Sequence, residues 1–207
     1  AAKGVNAQRK TLASVALALK GDDTGVDMLE EVATGGIPLD SPIPGLAAYG
    51  YASIKKGERK DEFYEASRST TDSGDKLYLA AAAARSGHEE SLQSLRAMLR
   101  DRRMGALRFE AARLLSEMKD STSQEALLVM LRDTDNSAQL AAARALVRLG
   151  NDEIIPQLLE IMPRLYDVAR NEVKRAIGNF GQKAVPHVAE GLKSDDPRVQ
   201  TAALEVI

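Results

Sequence analysis

Two histidines, two Asp-Asp pairs, a run of arginines and two neighbouring tyrosines are the residues here with chemistry to offer. His88-Glu89 sets a nitrogen beside a carboxylate, as a metal ligand pair would. A metal centre needs three or four such groups converging, and the other histidine, His187, lies far along the chain. His88 follows Gly87 and reads as a solvent-exposed turn residue, with Glu89 placed to favour the next helix's N-terminus. His187 follows Pro186 and reads as a surface histidine on the side where a ligand would bind. Asp22-Asp23 and Asp195-Asp196 read as turn and helix-cap residues. The chain has no cysteine, which excludes disulfides, zinc fingers and thiol catalysis and suits cytosol and periplasm alike. No Gly-rich phosphate loop or Ser/His/Asp set is present. The expectation is a non-enzyme with no catalytic residue, no metal site and no cofactor.

Binding chemistry is better represented. Arg96, Arg100, Arg102, Arg103, Arg108 and Arg113 gather as phosphate-binding arginines do. Asp101, Glu110 and Glu117 answer them, and 28 Lys+Arg stand against 30 Asp+Glu for a net charge of −2. Such a balance disfavours nucleic acid as a partner and favours a solvated helix junction. Tyr49, Tyr51, Phe63 and Tyr64 concentrate the few aromatics. Tyr49 and Tyr51 are two apart and cannot share one helix face. One of them is therefore expected to be exposed, a possible-contact patch beside the Pro- and Gly-rich loop Gly35–Gly45; packing against that loop is the plainer reading.

The elements that would position these residues repeat. Ala83, Leu115, Leu146, Ile177 and Ile207 follow one another at thirty to thirty-two residues, with small or apolar residues four and eight positions earlier, such as Ala142 and Ala138 before Leu146. Spacing by four marks one helix stripe, and alanine on it allows close helix approach. Leu99, Leu131, Met162 and Leu192 form a second column, preceded at four residues by Leu95, Leu127, Leu158 and Val188. Each unit is thus a helical hairpin, with return-helix starts marked by a Ser121/Gln124 capping box, by Gly150-Asn151, and by Pro156 and Pro186 in first turns. Units are expected over 75–100, 104–132, 136–163 and 168–193, with a last helix from Pro197.

Upstream, 7–34 reads as a first hairpin with its helix from Gln8 to Leu19, and 44–68 as a divergent one. The polar linker Ser69–Gly74 leads into the regular array. Hydrophobic content of 44% with 4% aromatic and no Trp fits close-packed helices in one extended domain, 1–207. No apolar run reaches the ~18 residues a membrane span needs. The Ala1-Ala2-Lys3 start, without Met, suits a processed or trimmed chain. Ile207 ends the last helix on an apolar position, so the parent protein is expected to continue, or something to cover that end.

Asp101 with Leu107-Arg108 and Ala111-Ala112, Asp133 with Ala138-Gln139 and Ala142-Ala143, Ala169-Arg170 with Val173, and Asp196-Pro-Arg-Val-Gln with Ala202-Ala203 resemble the HEAT-like repeats, particularly the short variety named after phycobilisome lyase subunits. The resemblance covers about residue 75 to the end. It implies a right-handed α-solenoid, an α-α superhelix of stacked helical hairpins, with Asp and Arg columns forming a ladder between units. Gln139 and Gln200 replace two of the arginines, so the ladder is expected to be interrupted. Related repeat enzymes, the deoxyhypusine hydroxylases, carry iron-binding His-Glu dyads after that arginine; here Arg108 is followed by Phe109-Glu110. The family's second helices line its concave face, which assigns partner contact to Arg100, Glu125, Arg132, Gln157, Glu160, His187, Glu190 and Lys193. The implied role is a protein–protein scaffold for a protein or peptide. Alternatives are a lyase- or chaperone-type subunit acting on a cofactor-bearing protein, and a structural segment of a larger assembly.

Overall fold

The alanine-flanked column falls inside helices and is buried at Ala83, Leu115, Leu146 and Ile177, each with 1% exposure or less. Four residues on, Gly87, Lys119, Gly150 and Gly181 all adopt positive φ, the left-handed geometry that ends a helix and turns the chain. The repeat is therefore a repeat of backbone conformation as well as of burial. The computed structural model describes residues 2–207; Ala1, part of the start read as processed or trimmed, lies outside them. Thirteen α-helices and no strand occur among the described residues, in two compact units divided between Met98 and Leu99.

The first unit holds α1 (Ala2–Ala18), α2 (Val26–Ala33), α3 (Ile43–Ile54), α4 (Lys60–Ser69), α5 (Ser73–Arg85) and α6 (Glu89–Met98). Its centre is α3, which packs against α1, α2 and α5 and buries every residue from Ala47 to Ser53. The Gly35–Gly45 loop is shorter than expected, because Ile43, Pro44 and Gly45 already belong to α3, the proline in its first turn where no N–H is missed. Gly45 also lets α3 approach α5: its N–H donates to Asp75 Oδ1 at 2.8 Å, and a Cβ there would meet Asp75 Cα and O at 3.0 Å. Asp72 caps α5 by accepting from Gly74 N and Asp75 N, and also accepts from the Ser41 hydroxyl.

The second unit holds α7 (Ala106–Glu117), α8 (Gln124–Leu131), α9 (Asn136–Leu149), α10 (Ile155–Ile161), α11 (Asp167–Asn179), α12 (Ala184–Gly191) and α13 (Pro197–Val206). Here α7, α9, α11 and α13 stack in order through buried alanines, and α10 packs on α12. Single 3-10 turns, Ser121–Ser123, Asp152–Ile154 and Gly181–Lys183, lead into the return helices α8, α10 and α12. The Ser121/Gln124 capping box does not form. Ser121 lies in the 3-10 turn, and Gln124 Oε1 instead accepts from Asn151 Nδ2 at 2.8 Å, tying α8 to the next turn. Asp196 caps α13 as expected, accepting from Arg198 N. Asp135 caps α9 by accepting from Ser137 N.

Asp133 belongs to the ladder, which as expected is interrupted as an Asp–Arg column at Gln139 and Gln200 and continues there through backbone contacts. Arg108 Nε donates to the Leu99 carbonyl at 2.7 Å, and its Nη1 to Asp133 Oδ2 at 2.8 Å. Gln139 takes the same two directions with an amide: Nε2 donates to the Asp133 carbonyl at 2.7 Å, and Oε1 accepts from Tyr166 N at 3.2 Å. Arg170 donates to the carbonyls of Met162, Pro163 and Leu165, and Gln200 to that of Ser194 at 2.7 Å. All four turn back to carbonyls at the end of the preceding return helix or in the turn after it. Glutamine suffices because the backward contact needs a donor, not a charge.

Candidate partner-binding groove

The return helices are amphipathic for a simple reason: residues four apart share a face. Leu127, Leu131, Leu158, Met162 and Val188 turn inward and are buried. Glu125, Gln157, Glu160 and Glu190, on the other face, are exposed, as are Arg100, Arg132 and Lys193 beyond the helix ends; His187 is half-buried.

Four of these eight converge. Glu160, His187, Glu190 and Lys193 line one groove of about 500 Å³ between α10, α12 and α13, with Pro156, Leu159, Pro186 and Val199 as its apolar part. The groove exists because α12 ends on Gly191: a Cβ there would lie 2.8 Å from Leu159 Cδ1 and 3.2 Å from Ala203 Cβ. Lys193 pairs with Glu190 at 3.3 Å, both side chains largely exposed, so the pair contributes at most about 1 kcal/mol and is open to exchange for a partner's charge. Glu160 has no such cation beside it among the described residues. The groove thus offers two carboxylates, one cation, one imidazole and a proline-edged apolar wall, a set suited to polar and apolar side chains of a peptide. Arg132 stands apart from this group, in a different groove with Arg164.

The aromatic patch is not there. Tyr49 and Tyr51 are both buried, at 0% and 3% exposure. They do point to different faces of α3, but both faces are core. The Tyr49 hydroxyl accepts from Arg85 Nη1 at 2.8 Å; that of Tyr51 donates to Glu58 at 2.7 Å, and its ring meets Phe63 edge-on. Burial raises the Tyr51 pKa, the Glu58 hydrogen bond adding to the effect.

His88 is likewise not a free turn residue. It is half-buried, stacks on Tyr64 at 4.0 Å between ring centroids, and caps α6 through Nδ1, which accepts from Ser91 N at 3.3 Å. A histidine directly before Glu89-Glu90 was the available signal for a cap. Among the described residues, no group of three or more His, Asp or Glu side chains could hold a metal ion.

Most of the arginine run is committed to carboxylates. Arg96 pairs with Glu89, Arg102 and Arg108 with Asp133, Arg103 with Asp101, and Arg113 with Glu110 and Glu117. The Arg103 side-chain hydrogen bond and backbone N–H hold the Asp101 carboxyl down at about 2. Burial opposes ionisation of Asp133. The Arg108 hydrogen bond, the Asp135 N–H and the Arg102 and Arg108 charges outweigh it, so this carboxyl titrates below its usual range.

Residues 105–178 match the sequence model of the HEAT repeats. The match lies within the second unit, from just before α7 through most of α11, and includes Arg108, Gln139 and Arg170. No curated protein matches the chain. With its helices paired in hairpins and its repeat junctions carrying that column, the segment 105–178 is a run of HEAT repeats, and the fold among the described residues is all-α.

Proposed function

We propose that this chain is a non-catalytic scaffold that holds a protein or peptide segment against the outward face of α8, α10 and α12. HEAT repeats commonly mediate protein–protein interaction. The observation that carries the reading for this chain is the groove in which Glu160, His187, Glu190 and Lys193 converge beside Pro156, Pro186 and Leu159. Residues one turn away on the same helices are core, so the groove is set on rigid elements and needs little ordering when a partner docks. A bound segment would exchange its own cation for Lys193 at Glu190, place a second near Glu160, and cover the apolar wall.

The test is a charge reversal, Glu125→Lys with Glu160→Lys and Glu190→Lys. These exposed changes are expected to leave the far-UV spectrum intact and the stability within about 0.5 kcal/mol per site. A protein captured from source lysate by the native chain should be lost with the folded triple variant. Capture that is unaffected by the three reversals would sink the proposal.

A further inference from the structure

The groove that holds Arg132 lies in the second unit, at the junction where α8 passes to α9 and α10 to α11, and measures about 530 Å³. Arg132 is the C-cap of α8 and Arg164 closes the 3-10 turn after α10, so each stands where a return helix ends in consecutive repeats. Both are exposed, and neither makes an ion pair among the described residues.

The carboxylate lining the groove is Asp133, and its charge is already taken. Its side chain is 4% exposed, with Arg108 at 2.8 Å and Arg102 at 3.2 Å, while Oδ1 accepts from Asp135 N. Of the neighbouring acids, Asp135 caps α9 through Ser137 N, and Asp196, which feels the Arg164 charge, is held by Arg198 at 2.8 Å. What faces solvent is two unpaired guanidiniums beside the polar side chains of Thr134 and Asn136. A single arginine at a helix C-terminus is explained by the helix dipole. That does not explain two of them lining one groove whose acid is neutralised from behind.

We propose that this groove binds an acidic peptide segment, with Arg132 and Arg164 each taking one of its carboxylates. Guanidinium is the group best matched to carboxylate, through paired N–H donors. Nucleic acid fits less well, because Arg102, Arg103 and Arg113 are engaged by carboxylates and the net charge of −2 gives no broad positive field to follow a phosphate backbone. The site is separate from the α10–α12 groove and does not depend on it.

The test titrates a fluorescein-labelled peptide of alternating Glu and Ser into the native chain at low salt, beside its Lys/Ser counterpart. Expected are saturable binding of the acidic peptide alone, a loss of about tenfold or more in Arg132→Gln with Arg164→Gln, and weakening as salt is raised. The thermal midpoint of that variant should stay at the native value. Arg103→Gln, and Glu160→Lys with Glu190→Lys, should bind the peptide as the native chain does, which separates this site from the groove proposed above. Binding retained in the double arginine variant, equal binding of the lysine peptide, or tighter binding of a phosphoserine peptide or duplex DNA through the same arginines would overturn the proposal.

Discussion

In the second unit one side-chain position meets the same need four times: Arg108, Gln139, Arg170 and Gln200 each turn back to a carbonyl at the end of the preceding return helix or turn. In the first unit each junction has its own device. Gly45 N donates to Asp75, Ser41 to Asp72, Arg59 to Glu30, and Arg85 to Tyr49. A periodic solution tolerates replacement, as arginine by glutamine, provided a donor remains. A one-off solution rests on particular residues, above all on a missing Cβ at Gly45. The contrast explains why the HEAT-repeat match falls within the second unit.

The contrast breaks first at Arg108. Its side chain is 6% exposed and its partner Asp133 4%, so Arg108→Ala takes the buried cation from a buried carboxylate, leaving it the exposed Arg102 and the Asp135 N–H, and takes the donor from the Leu99 carbonyl; it should cost about 3 kcal/mol of unfolding free energy in urea. A loss below about 1 kcal/mol, within the range of an ordinary hydrogen bond, would mean the column does not hold this unit. The same pair sets an acid dependence. Because the Asp133 carboxyl is held below its usual range, its contribution is complete above the unfolded-state value of about 4 and is lost as pH falls through the lower folded one. Native stability should therefore drop on acidification more steeply than that of Asp133→Asn, read as unfolding midpoints across pH.

Glycine substitutions sharpen the comparison at a smaller scale. Gly45→Ala would drive a Cβ against Asp75 backbone at 3.0 Å and should cost about 1–3 kcal/mol. Gly178, inside α11, has open space where its Cβ would go, so Gly178→Ala should gain about 0.5–1 kcal/mol. Equal effects would remove the distinction between a glycine that spaces helices and one that does not. The smallest effect is expected at Lys119, which holds φ 59° where Gly87, Gly150 and Gly181 stand in other repeats. Lys119→Gly should raise the thermal midpoint by the equivalent of about 0.5 kcal/mol, the strain relieved less the exposed Lys119–Arg148 carbonyl contact.

Burial columns such as Leu115, Leu146 and Ile177 were legible because a helix stripe and a repeat interval both mark them. The role of Gln139 was not, because reading the column by charge hides that an amide donates one way and accepts the other. Tyr49 and Tyr51 misled for a different reason: a two-residue offset reports two helix faces, and only the packing of α1, α2 and α5 around α3 makes both of them core. Glu160, His187 and Glu190 could be assigned by column, whereas their convergence depends on the contact that Gly191 permits with Leu159 and Ala203. Local spacing carries the helix face; which faces meet is decided between helices.

The most direct test of the scaffold reading is site-specific photo-crosslinking in source lysate, with the probe at Gln157 on α10 or at Arg144 on α9, both exposed. The account predicts a discrete protein adduct from position 157 and none of that protein from position 144. The same protein captured equally from both positions, or from 144 alone, would contradict it.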